Sequence, residues 1–247
     1  MPGAHPPDDR YRHEVLAVVL QIRHGSLEVL LWRRARQPQA QRWALPGGQL
    51  AADERLGTSL ARHLAYKVDV REIAHLEQLE TRSDPGRMPG ERVLATAYLA
   101  LVPADADPGL PEDTAWYPVA ALPPTAFDHG SIVESGVGRL RAKLSYTNIG
   151  FAIAGGQFTV AQLRELYSAA LGHPVSVTNL QRVLSRRGLI VALCTTIPPG
   201  RAGGRPAALY RFTSRVLTIT DPAAMFRPPP ASRAPSRRRE GRRRAAG

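Results

Sequence analysis

Two runs rich in Val and Leu, 14–22 and 27–32, flank His24-Gly25-Ser26, and this pattern predicts a β-hairpin. A polar loop, RRARQPQAQR, follows, and then a short strand over 43–45 that runs into a Pro-Gly-Gly turn. Over 54–68 the apolar residues Leu56, Leu60, Leu64 and Val68 recur every fourth position, which sets them on one face of an amphipathic helix. Strands are predicted around 73–82 and 92–101, separated by the turn-rich SDPGRMPGE, with a short edge strand over 115–119. Strands, one helix and further strands make an α+β unit over 12–127, an α/β/α sandwich around a mixed sheet. A helix over 128–145 then connects it to the C-terminal half of the chain.

That half has a different rhythm. A short helical piece over 146–154 precedes a helix over 159–171, with Val160, Leu163, Leu166 and Tyr167 on one face and Thr159 placed as its N-cap. After the break Gly172-His173-Pro174, a helix over 177–187 turns Leu180, Val183 and Leu184 inward. Strands over 189–196 and 207–212 enclose PPGRAGGRP as a hairpin. Three helices followed by a hairpin with a basic tip give the order of a winged helix-turn-helix, here over 146–215.

Charge sharpens this division. Residues 1–140 carry net −3, residues 141–226 net +8 and residues 227–247 net +7, so the basic residues are concentrated in the half that has the DNA-binding pattern. The last stretch, 216–247, is rich in Pro and Arg without apolar period and is expected to be a disordered basic tail. The single cysteine, Cys194, excludes an internal disulfide and a thiolate metal cage; it lies in an apolar run and is expected to be buried. The first residues lack the charged start and apolar core of a signal peptide, and 93–104 is too short to span a bilayer, so a cytoplasmic protein without a membrane role is expected.

The motif that carries chemistry is Trp43-Ala44-Leu45-Pro46-Gly47-Gly48 followed by Glu54 and Arg62, a Gly-x5-Glu-x7-Arg spacing that resembles the Nudix box. In that family the Arg is followed by Glu-hydrophobic-x-Glu-Glu-x-Gly-hydrophobic. The corresponding positions here hold His63, Leu64, Tyr66, Lys67, Asp69 and Val70. Positions 63, 66 and 67 stand at i, i+3 and i+4 on a helix, where three carboxylates would hold Mg²⁺ against a pyrophosphate. A histidine, a neutral tyrosine and a lysine cannot do so, and Glu54 alone cannot hold the ion. This degenerate box, Gly48, Glu54, Arg62, His63, Tyr66 and Lys67, therefore predicts no bound metal, no catalytic residues and no cofactor. Lys67 and the neighbouring arginines can still attract an anionic nucleotide. An ion pair of Arg62 with Glu54 is the structural reading of that arginine.

A second resemblance covers about residues 12–213. The runs LEQLET (76–81), SDPGRMPG (83–90) and 93–101 are similar to the ADP-ribose-recognising branch of the Nudix superfamily and to its regulator offshoot, the NrtR family of transcriptional regulators of NAD metabolism. Where that family shows Arg-Asp-Pro-Arg, this chain has Arg87-Met88-Pro89-Gly90. The resemblance implies a repressor of NAD biosynthesis or salvage genes, a homodimer on a two-fold double-stranded DNA operator, and ADP-ribose or a related nucleotide as effector. It adds Arg34, Gln78 and Arg87 to Lys67 and Arg62, offered by their charge, as candidate effector-binding residues. For DNA, the outward residues of the 177–187 helix, Thr178, Asn179, Gln181, Arg182 and Arg186, and Arg201 and Arg205 in the wing are the candidates, since Asn and Gln read adenine and Arg reads guanine in the major groove. The alternative reading is a Nudix pyrophosphohydrolase acting on ADP-ribose-like substrates.

Overall fold

The computed structural model describes residues 11–198 and 206–221. β1 (Arg12–Arg23) and β2 (Ser26–Arg33) form the expected hairpin, closed by His24 and Gly25 in left-handed backbone. Two successive positive φ angles match the right-handed twist of the strands they join. β3 (Trp43–Ala44) pairs with β2, and β4 (Gly47–Gln49) pairs with β1. α1 (Leu56–Val68), β5 (His75–Arg82), β6 (Val93–Leu101) and β7 (Thr114–Pro118) complete the first unit. The sheet runs β3-β2-β1-β6-β5, with β7 on β2; β1 and β6 are parallel and the other pairs antiparallel, so the sheet is mixed as expected.

β1 is buried on both faces, and its two sets of side chains separate two cores. Val15, Ala17 and Val19 pack with Leu60, Leu64 and Val68 of α1. Leu16, Val18, Leu20 and Ile22 pack toward α2 (His129–Tyr146), which lays Ile132, Val133, Val137 and Leu140 on the opposite face. At Gly136 any side chain would collide with Val18, so this glycine sets how closely α2 approaches the sheet.

The second core does not stop at the end of α2. It continues through α3 (Gly150–Ile153), α4 (Val160–Leu171) and α5 (Val177–Arg186) to Phe212, so apolar packing joins the α/β/α sandwich to the C-terminal unit. Thr159 caps α4 as expected. Its hydroxyl accepts from the Gln162 N–H, and the Gln162 side chain accepts from the Thr159 N–H, a reciprocal capping box. β8 (Phe158–Thr159), β10 (Ala207–Phe212) and β9 (Ile190–Ile197) form a three-stranded sheet in the order β8-β10-β9.

Three expectations change. β4 forms where only a turn was expected, because Gly47, without a side chain, can lie against Val15 and Leu16 of β1. Cys194 is exposed, because β9 is an edge strand of the wing and buries only Ile190 of its eight residues. The tail does not begin at 216. Residues 216–221 strap the end of α2: the Asn148 amide donates to the Val216 carbonyl and accepts from the Thr218 N–H, and the Thr220 N–H donates to the Tyr146 carbonyl. Residues 222–247, and with them the rest of the tail, lie outside the described residues. Among the described residues no helix is long and apolar enough to cross a membrane.

Candidate effector cavity and nucleic-acid interface

A cavity of about 560 Å³ opens beside the start of β1, walled by β4, the 34–38 loop, the last turn of α1, the 88–91 segment and the first residue of α2. Its floor depends on Gly47, whose φ of 154° and close approach to the Val15 carbonyl oxygen exclude any side chain. Gly48 is equally constrained, since a Cβ there would lie 2.5 Å from the His63 ring.

The helix face that would carry metal ligands is occupied differently by each residue. His63 is buried, with Nε2 3.1 Å from the Gln49 carbonyl oxygen, and burial lowers its pKa. Tyr66 is 90% exposed and turns away from the cavity. Lys67 reaches in: its ammonium donates to the Gly47 carbonyl at 2.7 Å and sits 4.5 Å from the centre of the Trp32 ring. Burial and the nearby Arg34 charge lower the Lys67 pKa, so an incoming anion favours its charged form. Glu54 is fully engaged by Arg62, whose Nε and Nη2 donate to its two oxygens at 2.6 and 2.7 Å and hold the carboxyl at about 2. Among the described residues no group of three or more His, Cys, Asp or Glu is placed to hold a metal.

The five expected effector residues divide. Arg34 and Lys67 line the cavity. Arg34 lies over the Phe127 ring at 4.8 Å and donates to the Pro38 carbonyl; Phe127 itself has φ 49°, an uncommon conformation for a bulky residue. Arg62 is not in the cavity wall, because the ion pair with Glu54 holds it outside. Gln78 is exposed on β5, pairs with Tyr98 and is not among the residues that line the cavity. Arg87 is not free either. Its side chain, 1% exposed, is bonded to Glu14 at 2.7 Å and to both oxygens of Asp128 at 2.9 and 3.1 Å. Burial opposes its charge, but these carboxylates outweigh that and raise its pKa. Arg87 therefore fastens the 83–91 segment to β1 and to the start of α2, while the next two residues, Met88 and Pro89, form part of the wall.

Sequence reasoning missed Glu14, Trp32 and His129 as wall residues. His129 is 2% exposed, and its Nδ1 accepts from the Leu45 N–H at 2.9 Å. Burial lowers its pKa from 6.5 to about 3. The unfolded imidazole thus takes up a proton at a higher pH than the folded one, so stability is whole above about pH 6.5 and falls as pH drops toward 3. This side chain alone should remove about 2 kcal/mol between pH 7.5 and pH 5. Urea unfolding at the two pH values measures it, and His129→Asn should lose less stability over that interval; equal losses would contradict the assignment.

In the C-terminal unit, α4 and α5 meet across a turn in which Gly172 adopts left-handed backbone (φ 77°) and donates to the Ser168 carbonyl. Ser176 caps α5, and Leu180 and Leu184 bury one face. Thr178, Asn179, Arg182 and Arg186 are exposed on the other. Arg182 donates to the Asn179 side-chain oxygen at 2.7 Å, which pre-orders both groups. Gln181 departs from expectation: its amide donates to the Tyr210 hydroxyl at 3.0 Å, so it braces α5 against the wing. Arg201 and Arg205 lie outside the described residues.

A model of the NUDIX domain matches residues 10–135. The chain belongs to the Nudix family. Its Nudix domain is followed by a match to the NrtR DNA-binding winged helix domain over residues 150–212. One relative, the ADPR responsive transcriptional repressor NtrR of Acinetobacter baylyi, is 29% identical over 201 residues, covering 78% of this chain and 79% of that protein. Shewanella oneidensis NrtR, solved in complex with a 27mer DNA, superposes with a TM-score of 0.69 at 28% identity, covering 81% of this chain and 93% of that one. A MutT/nudix family protein from Enterococcus faecalis gives a TM-score of 0.68 at 22% identity over 84% of this chain and 90% of its own, a likeness of fold alone. The Nudix domain here is thus followed by a winged helix domain of the NrtR DNA-binding kind. A base-reading role for Arg182 in α5 predicts that Arg182→Ala costs about 1–3 kcal/mol on the operator and less on random DNA. Fluorescence anisotropy at fixed salt measures both, and equal losses on the two DNAs would contradict a base-reading role.

Proposed function

We propose that this protein is a transcriptional repressor that senses ADP-ribose, or a closely related nucleotide, through a Nudix domain that does not hydrolyse it. The observation that carries the reading is Lys67, whose ammonium is bonded to the Gly47 carbonyl at the position where the family's carboxylates would hold a metal. Mg²⁺ acts in such sites by neutralising phosphate charge and activating water. An ammonium supplies the first and not the second, so binding persists while turnover is lost. Arg34 provides a second cation on the same wall.

The name of the Acinetobacter relative supports ADP-ribose as effector, and the DNA complex of the Shewanella relative supports a duplex operator. A homodimer reading two half-sites and control of NAD biosynthesis or salvage genes complete the proposal. Occupation of the cavity alters the equilibrium between arrangements of the two DNA-binding units, and so changes operator affinity.

The test is to incubate the protein with ADP-ribose and Mg²⁺ or Mn²⁺ and follow AMP, alongside calorimetric binding in excess chelator. The expected result is no AMP and an unchanged dissociation constant when metal is removed. AMP formation abolished by Glu54→Gln would establish the hydrolase instead.

A further inference from the structure

Two carboxylates stand among the side chains that line the effector cavity, Glu14 and Glu91. Glu91 pairs with Arg12, and both of these side chains stay well exposed to solvent. Glu14 is set deeper. Its side chain keeps 16% of its surface accessible, and its Oε1 accepts from Arg87 Nη1 at 2.7 Å. Arg87 is in turn bonded to both oxygens of Asp128, so the carboxylate is held in one place. Its other oxygen, Oε2, has no hydrogen-bond partner among the described residues and is not closed off from solvent. Glu14 lies two residues before Leu16 on β1 and so shares its face, and Leu16 also lines the cavity.

The surroundings indicate what that oxygen would take. Arg34 and Lys67 line the same cavity; burial lowers the pKa of each, and the charge of Glu14 acts against that in both. Phosphate oxygens are acceptors of like charge and are repelled by a carboxylate. A sugar hydroxyl is the complementary group, since it donates, and a hydrogen bond to an ionised acceptor is stronger than one to a neutral acceptor. A nucleotide carries both kinds of group, phosphates for the two cations and ribose hydroxyls for the carboxylate.

We infer that Glu14 is the sugar-reading residue of the cavity, accepting a hydrogen bond from a ribose hydroxyl of the bound nucleotide while Arg34 and Lys67 hold its phosphates. The inference rests on the effector reading above and deepens it. An acceptor beside two cations favours a ribose-bearing pyrophosphate and disfavours a bare one, so the site selects by repulsion as well as by attraction. Either ribose of ADP-ribose offers such a hydroxyl, and ADP, which has only one of them, separates the two.

The decisive variant is Glu14→Gln, which keeps an oxygen for Arg87 and removes the charge. Full-length wild type and variant are titrated with ADP-ribose and with ADP in a calorimeter, and inorganic pyrophosphate is titrated as a competitor, with circular dichroism to check the fold. The variant is expected to bind ADP-ribose about fivefold or more weakly, while pyrophosphate competes as well as before or better. An equal loss for ADP assigns the contact to the adenosine ribose, and no loss for ADP assigns it to the terminal one. ADP-ribose binding within twofold of wild type, or an equal loss of pyrophosphate binding, overturns the inference and leaves the effector reading standing. Wild type that does not bind ADP-ribose overturns both. Should Glu14→Gln not fold, Glu14→Asp decides by the same criteria, since it keeps the charge beside Arg87 and draws the free oxygen back from the cavity.

Discussion

Lys67→Glu lowers the affinity for ADP-ribose by about 100-fold while leaving operator binding in the absence of effector intact. The size of the effect comes from charge. Two unit charges about 4 Å apart interact by roughly 4 kcal/mol at the effective dielectric of a protein surface. The substitution replaces attraction with repulsion, and solvent screening reduces the result to about 3 kcal/mol, or about 100-fold. The carboxylate also faces the Gly47 carbonyl oxygen, with which Lys67 makes its hydrogen bond, and so cannot settle in the same place. Lys67→Met removes only the attraction and should cost about tenfold. Calorimetry on the three proteins measures the series; equal effects of Met and Glu would mean that Lys67 acts through packing on Trp32 and not through its charge.

Arg87→Ala destabilises the Nudix domain by about 3 kcal/mol, because it leaves Glu14 and Asp128 without the cation that both of them hold. For a chain of this size that corresponds to a fall in Tm of about 10 °C. The same substitution frees the 83–91 segment from β1 and α2, so effector affinity should fall together with stability even though Arg87 touches no cavity space of its own. Thermal unfolding and ADP-ribose titration on one preparation measure both. A Tm within 1 °C of wild type would show that the three-residue ion cluster contributes nothing net, as exposed pairs often do.

Elements whose residues interact locally are legible in the sequence. The β1–β2 hairpin follows from two Val- and Leu-rich runs around His24-Gly25-Ser26. The inward face of α1 follows from a four-residue spacing, and the start of α4 from Thr159 placed as its N-cap. What the pattern missed depends on partners far away in the chain. Arg87 looks like a ligand arginine until Glu14 and Asp128, 73 and 41 residues distant, are found around it. Gln181 sits on the outward polar side of α5 by periodicity, and only its bond to Tyr210 on the wing reveals it as a brace.

The candidate site was half legible for the same reason. Lys67 and Arg34, expected respectively from the charge it brings to the degenerate box and from a family position at the end of the second strand, both line the cavity. His129 could not be inferred, because a single histidine at a helix start has no local pattern that marks its burial in the cavity wall. Its place beside the cavity follows from a tertiary fact, the Leu45 N–H that donates to its Nδ1. Cys194 failed in the opposite direction. An apolar run looks the same in a core strand and in the edge strand of a wing, and only the sheet order separates them.

On the proposed function, a nucleotide in the Nudix cavity controls the winged helix without metal and without turnover. Titrating the full-length protein onto its own upstream DNA at one fixed salt concentration, in chelator, with and without ADP-ribose, tests it most directly, because salt alone moves such affinities by orders of magnitude. The predicted result is a shifted binding midpoint in chelator, with ADP-ribose recovered intact afterwards. An unmoved midpoint, or a shift that appears only with metal and is accompanied by AMP, would contradict it.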